Sequence, residues 1–426
     1  MRRSLTGFAL ASFLISGTAQ ALSLHDAATL ALHNDPRMHA ADAAVQSAAA
    51  EVDVARAGYL PGASVSLNTG FTRYYLPPQL TAAFALPGTL NPSAASLHVS
   101  QPLYSGGITG AQVESRKNLL EGSRQDVTET REQLLLAATT AYLDVVRDRA
   151  VVGLNNANAA TLQQALTDAQ KRFDAGEVTR TDVAQASARL AEAHANLKRA
   201  IVNVDISAAE FRRVVGVSPD QLDQGWPMPN TPVSLGDALA AAGVTPAVLA
   251  ADARQRSAQA EIKAAQADYW PKLSIDGQTT AQDDSRFSGD RYKDWSVQLK
   301  ATLPLYDGGA RSAQVLSAQA RAAQAEAGAQ DAQGAAVQAI TQAWAAFQAT
   351  SEVIQAYASE VDATTIALDS MRKELQAGTR TTLDLLNAER DQLSAQVNLA
   401  GSRHDRSVAA FNLLAACGRL SAGAVP

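Results

Sequence analysis

The sequence predicts an α + transmembrane-β fold: one unit, made of long helical hairpins and two strands, laid down twice. Three observations carry this. Motifs recur in the same order in both halves, four segments alternate strictly between apolar and polar residues, and two runs of more than a hundred residues contain no proline. Tyr59-Leu60-Pro61 returns as Tyr269-Trp270-Pro271, a spacing of 210. Pro102-Leu103-Tyr104-Ser105-Gly106-Gly107 returns as Pro304-Leu305-Tyr306-Asp307-Gly308-Gly309, a spacing of 202. Lys171–Val183 (KRFDAGEVTRTDV) answers Lys373–Leu385 (KELQAGTRTTLDL) at that same 202. The lost residues lie between Pro61 and Pro102, in a segment that reads as a loop. Repeats of this size decide architecture before any local reading does.

The chain opens like an export signal. Arg2 and Arg3 precede an apolar core from Phe8 to Ile15, and Ala19-Gln20-Ala21 offers small residues for cleavage. Residues 1–21 are read as the signal peptide and Leu22 as the first mature residue. The apolar core is too short to span a bilayer, and no cysteine near the cut suggests a lipid anchor. Loss of Arg2 and Arg3 moves the formal net charge from −6 to −8. An acidic chain is a poor binder of phosphate backbones, so nucleic acid is not expected as a partner.

The first repeat is assigned to residues 22–215. It begins with an Ala-rich helical stretch of about 36 residues, Leu24 to Tyr59, because alanine has the best helix propensity. Pro61 ends it. Alternation over about 63–75 and 94–103 then predicts two strands, with Val65, Leu67, Leu97 and Val99 on one face and serines, Asn68 and His98 on the other. Gly106-Gly107 turns the chain into a helix over 108–175, about 100 Å long at the helical rise. Gly176 ends it, and a return helix covers 178–215. Residues 216–233, rich in proline, read as a linker. The second repeat, 234–417, has a first helix from Ser234 to Tyr269 and strands at about 272–281 and 295–305. Its long helix is read at 310–377 and its return helix at 381–416; a tail occupies 418–426. The short helix plus the return helix match the long one in length, as in a wall where each long helix lies beside two shorter ones. The loops Thr72–Ser93 and Gln282–Asp294 are expected outside the cell, and Tyr74, Tyr75, Tyr292 and Trp295 are expected to ring that side.

Apart from the signal, the chain shows no long uninterrupted apolar run, so entry into a membrane is expected through strands. Four strands cannot close a spanning barrel, so two, three or four copies must pool theirs. Enzymatic signatures are missing. Six histidines are scattered without metal-site spacing, Cys417 is the one cysteine, and neither a nucleophile elbow nor a phosphate loop occurs. No cofactor or metal is expected.

The duplicated order of short helix, strand, strand with PLYxGG, long helix and AGxxTxxD turn resembles the TolC outer-membrane efflux family over roughly Leu22 to Leu414, nearer its type I secretion branch. The resemblance implies a homotrimer with a twelve-stranded β-barrel in outer-membrane lipid and an α-barrel across the periplasm, with 216–233 at its equator. It implies an exit duct for tripartite efflux or type I secretion, working with a periplasmic adaptor (membrane fusion protein) and an inner-membrane transporter. By position, Asp384 matches an aperture aspartate and Arg380 an arginine that ties its hairpin to a neighbour through Thr181 and Asp182. Asn387 stands where a second aspartate is usual, and Leu375 where a tyrosine is. Asp384 and Asn387 are therefore expected to line the aperture, with repulsion raising the Asp384 pKa, while the tips at Gly176 and Gly378 are expected to meet the adaptor. A periplasmic adaptor or a structural coiled-coil protein is the alternative, but neither explains the alternation from Trp295 to Leu305.

Overall fold

The computed structural model describes residues 21–73, 89–285 and 289–426. Nearly all of the expected signal peptide, Tyr74 and Tyr75, and residues 286–288 of the second loop lie outside the described residues. The chain forms two compact units: one of Met1–Met38, Arg131–Ala240 and Ala339–Pro426, the other of His39–Thr130 and Ala241–Gln338.

The second of these units holds the sheet. Strands β1 (Gly62–Thr69), β4 (Ser93–Tyr104), β5 (Lys272–Asp283) and β6 (Arg291–Thr302) form one antiparallel sheet in the order β1-β4-β5-β6. Two-residue strands β2 (Thr72–Arg73) and β3 (Thr89–Leu90) pair separately. The register aligns Val65, Leu97, Thr279 and Trp295 in one cross-strand row, and Ala63, Val99, Gly277 and Val297 in the next. Rows between these align Ser64, His98, Gln278 and Ser296. Opposite residues share a face, so the sheet has one apolar and one polar side across both repeats.

Two expectations for the strands change. The expected loop Gln282–Asp294 contracts to Asp284–Asp290, since β5 continues to Asp283 and β6 starts at Arg291 rather than 295. Asp283 opposes Arg291 with a 3.6 Å ion pair. The turn closes through Asp284 N–H to Asp290 O at 3.0 Å. β6 ends at Thr302 rather than 305, because Pro304 has no N–H to give the ladder. In the first loop, β1 stops at Thr69 and Gly70 N–H donates to Pro92 O.

The opening helices are also interrupted, against the expectation of single runs of about 36 residues. α1 (Leu24–Asn34) is followed by α2 (Pro36–Ala57). Between them Asp35 is extended (φ −75°, ψ 126°), as the proline ring requires of the residue before it. In the second repeat α5 (Leu235–Leu239) is separate from α6 (Pro246–Ala267), which starts with its proline in the first turn. The stretch 235–267 is long and apolar enough by composition to cross a membrane, but α6 buries small residues (Ala250, Ala253, Ser257 and Ala260). Beside it runs the early part of α3 (Ile108–Asp174), joined by Ser115–Ser257 at 2.8 Å and by Arg254 to both oxygens of Asp126 at 2.7 Å.

The other unit packs the rest of α3 with α4 (Arg180–Val215) and α8 (Thr382–Ala416), which returns from α7 (Ala310–Gln376). Leu134, Leu135, Tyr142, Phe211, Phe411 and Leu413 are fully buried there. The Tyr142 hydroxyl sits 2.9 Å from Leu22 O and 2.7 Å from Asp223 O, where it ties the start of the fold to the linker. Burial pushes its pKa up to about 12. The tail packs onto this unit: Leu420 and Val425 are buried, and His25 Nδ1 lies 3.0 Å from Val425 O.

Candidate functional site

Both hairpin tips fall within one unit, and both are built by the same local chemistry. α3 ends at Asp174, and Gly176 takes a left-handed φ of +80°. Glu177 N–H then reaches back to Arg172 O at 2.8 Å, the six-residue closure that needs a left-handed residue. The second tip repeats this: α7 ends at Gln376, Gly378 has φ +76°, and Thr379 N–H donates to Glu374 O at 3.0 Å. A Cβ at either glycine meets nothing within 4 Å, so the glycines serve backbone conformation and their surroundings are open.

Each return helix starts with a full capping box. Thr179 caps α4 while the Asp182 carboxylate accepts from Thr179 N–H at 2.9 Å and from its hydroxyl at 2.7 Å. Thr381 caps α8, and Asp384 accepts from Thr381 N–H at 3.1 Å and from its hydroxyl at 2.8 Å. Two orphan donors at the helix end are satisfied reciprocally. Hydrogen bonds from Thr179 hold Asp182 below the usual carboxylate range, and those from Thr381 do the same for Asp384. Within one chain capping favours the ionised form of Asp384; the rise expected from repulsion concerns a ring of several copies.

The remaining site residues take distinct positions. Arg380 Nε pairs with Glu374 Oε2 at 2.8 Å, inside its own hairpin, and within this chain Thr181 and Asp182 are not its partners. Thr181 is exposed; the neighbour two residues earlier, Thr179, carries the cap. Asn387 Oδ1 accepts from Arg189 Nη2 at 3.0 Å, which links α8 to α4. Next to it Leu386 is buried among Leu162, Ala169, Ala186, Leu190 and Ala193, so the two hairpins share a small apolar core beside their tips.

Three features escaped the sequence reading. The Thr-x-x-Asp spacing at both tips is a readable capping signal. Glu389, 6% exposed, has Arg372 at 3.6 Å as its ion-pair partner. Burial raises its pKa, and among the described residues its Oε2 has no hydrogen-bond partner. His404 lies 2.9 Å from Asp144 and 3.0 Å from Asp405, while Arg147 bridges Asp144 and Asp148. Burial opposes the imidazolium, yet the two carboxylates outweigh it and raise the His404 pKa. No sequence spacing signals a cluster whose members are 260 positions apart. Among the described residues no three His, Cys, Asp or Glu side chains are placed to hold a metal ion.

Residues 27–217 and 240–419 match the outer membrane efflux protein family, two segments that follow the two repeats. The chain belongs to that family. The outer membrane efflux protein BepC of Brucella suis is 29% identical over 97% of this chain and 90% of its own length. TolC of Escherichia coli is 25% identical over 98% of this chain and 86% of its own. Among solved structures, the Campylobacter jejuni CmeC outer membrane channel superposes with a TM-score of 0.82 at 17% identity, covering 93% of this chain and 85% of that one. The Vibrio cholerae outer membrane protein VceC gives 0.78 at 21%, covering 93% and 96%. The protein is an outer-membrane efflux channel and not an enzyme. Membership in the efflux family sets aside the adaptor and coiled-coil alternatives.

Proposed function

We propose that three copies of this chain close a twelve-stranded barrel in the outer membrane, above a periplasmic α-barrel, and serve as the exit duct of a tripartite efflux or type I secretion system. The observation that carries this is the sheet. β1 and β6 each pair on one side only among the described residues, and open edges are prohibitively costly in lipid. Trp295, Val297 and Leu299 on the apolar face are 78%, 65% and 67% exposed.

The duplication supplies the missing pairing. Inside the chain, β4 of the first repeat pairs with β5 of the second. Carried forward by the repeat spacing, β6 pairs with β1 of a second copy, and the Val99–Gly277 pair becomes Ala301 opposite Leu67. The glycines at the strand-to-helix corners agree. Gly106, left-handed at φ +69°, packs so close to the end of α6 that a Cβ would lie 2.5 Å from Ala267 O. Gly308 has φ +68° and meets nothing within 4 Å. By duplication its counterpart is the end of α2 in the next copy. Strand number divides as twelve by four.

The relatives AprF of Pseudomonas aeruginosa, an alkaline protease secretion protein, and PrtF of Dickeya chrysanthemi, a proteases secretion protein, favour the type I branch. In this reading Gly176 and Gly378 mark the surface that meets the periplasmic adaptor, which in turn engages an inner-membrane transporter. Asp384 and Asn387 line the aperture, and Arg380 exchanges its Glu374 contact for Thr181 and Asp182 of a neighbouring hairpin in the closed trimer. The linker 216–233 sits at the equator. The test is cross-linking in outer membranes: Leu67→Cys with Ala301→Cys should give covalent trimers under mild oxidation, while Leu67→Cys with Lys300→Cys, one register off, should not. In parallel, Val297→Arg should lose assembled trimer, since an arginine near the bilayer midplane costs about 2–4 kcal/mol, while Gln298→Arg should assemble. Absence of the Leu67–Ala301 cross-link in assembled protein would refute this closure.

A further inference from the structure

The polar face of the sheet carries few charges, and three of its ionisable groups are neighbours. Lys272, at the first position of β5, turns back to Asp268 at 2.6 Å, and Asp294 lies near the loop end of β6. Between them, His98 on β4, Asp276 on β5 and Lys300 on β6 lie in three successive rows of the polar face. Asp276 opposes Ser100 and Gln298, whereas Lys300 opposes Ser274. Lys300 is therefore the diagonal neighbour of Asp276, at a typical spacing of about 7–8 Å.

The carboxylate is held in place. Ser100 donates to Asp276 Oδ1 at 2.6 Å and Ser274 to Oδ2 at 2.9 Å. His98 Nε2 lies 4.0 Å from Oδ1. Two serines fixed on neighbouring positions orient the acid while Lys300 remains exposed. The residues sharing this face nearby are Ser64, Ser96, Gln278, Ser296 and Gln298, all uncharged. Rings of charged side chains of one sign set the local potential that a solute meets in a pore, so a fixed pair of opposite charges on an otherwise neutral polar lining holds that potential near balance.

Resting on the three-copy barrel proposed above, we propose that Asp276 and Lys300 form a charge-balanced band inside the strand-built part of the duct. Three acids and three lysines cancel around the ring, so the band passes cationic and anionic cargo alike. Removing one sign leaves three charges of the other. The band is separate from the tip carboxylates, which belong to the other unit of the chain.

The experiment is ion selectivity of the purified, full-length channel in planar bilayers under a potassium chloride gradient. Lys300→Gln should raise the cation-to-anion permeability ratio, and Asp276→Asn, which keeps shape and most hydrogen bonding, should lower it. The two single variants should move the ratio in opposite directions, because each leaves a ring of three like charges. The double variant should return to the unmodified ratio. Lys300→Cys offers a second readout, since the native Cys417 is buried. A thiol reagent carrying an ammonium should restore the original ratio, and one carrying a sulfonate should push it further toward cations. Unchanged ratios in both single variants, with thiol labelling at position 300 intact, would overturn the band while leaving the barrel standing. Labelling of Leu299→Cys but not Lys300→Cys by a water-soluble reagent on intact cells would instead show that the faces are reversed, and the barrel reading itself would fall.

Discussion

The two hairpin tips are built from one backbone plan and differ in their charges. Both have a left-handed glycine, the same back-bonded turn and the same Thr–Asp capping box. Their ion pairs run in opposite senses. At the first tip the helix supplies the cation, with Arg172 3.2 Å from Glu177; at the second the helix supplies the anion, with Glu374 2.8 Å from Arg380. One more difference lies a few turns away. Buried Glu389 faces Arg372 in the second hairpin, where the first has Ser187 and Gln170 at the matching positions of the repeat. The shared residues fix how the chain turns, while the divergent ones give each hairpin its own set of ion pairs.

The largest effect is expected where the two tips are alike. The glycines face open space, so tryptophan at Gly176 and Gly378 leaves the helix cores untouched, although a left-handed φ is strained for any side chain. The double variant should assemble as trimer yet lose export, measured as secreted cargo or as drug susceptibility. Full export would remove the tips from the docking surface.

Next come the ion pairs, where the tips differ. Arg380→Ala should raise single-channel conductance, because it frees the inner hairpin from its proposed neighbour. Arg172→Ala at the first tip should leave conductance near the unmodified value. An isolated exposed pair is worth under about 1 kcal/mol, so an effect confined to Arg380 implies that three symmetry-related links act together. Equal effects of the two alanines would erase the distinction drawn between the tips.

Glu389 sharpens the comparison further. A buried carboxylate with one loose partner costs stability, and apolar replacement of such ions is often neutral or stabilising by about 1–4 kcal/mol. Glu389→Leu should therefore slow amide exchange in α8 and raise the unfolding midpoint, and Ser187→Leu on the first hairpin should not. The pH sign follows from burial. Its folded pKa lies above the unfolded one, so ionisation weakens the hairpin at neutral pH, and stability returns as pH falls through the raised value. Loss of that acid gain in Glu389→Leu is the check.

Much of this plan could be read from the residues, for a physical reason. Alternation, proline gaps and glycine turns are local signals, and the duplication printed each of them twice. That is why α3 and α7 begin where the paired glycines predict, and why Val65, Leu97 and Val297 share a face. The breaks at Asp35-Pro36 and Pro246 were local too, yet the alanine runs around them masked a proline that is tolerated at a helix start. The site was less legible. Thr179 and Thr381 lie in plain sight, but Arg380 with Glu374, Asn387 with Arg189, and His404 with Asp144 depend on which surfaces the helices bring together. Spacing along the chain does not record that.

The smallest expected effect is the most discriminating, because Asp182 and Asp384 make each other's control. Both accept the same two bonds from a capping threonine, and both are held below the usual carboxylate range by them. In each case the cap contributes stability above the unfolded carboxylate pKa, near about 4, and loses it as pH falls through the lowered folded value. If Asp384 also meets two copies of itself around the axis, repulsion opposes the cap there and nowhere at Asp182. Cation selectivity, which reads the ring, should then fade at a higher pH than the cap of α4 melts, followed by amide exchange just after Thr179. Asp384→Asn should abolish the selectivity transition and leave the α4 transition in place. Coincident transitions would mean that Asp384 is a helix cap like its counterpart, and that the aperture charge lies elsewhere.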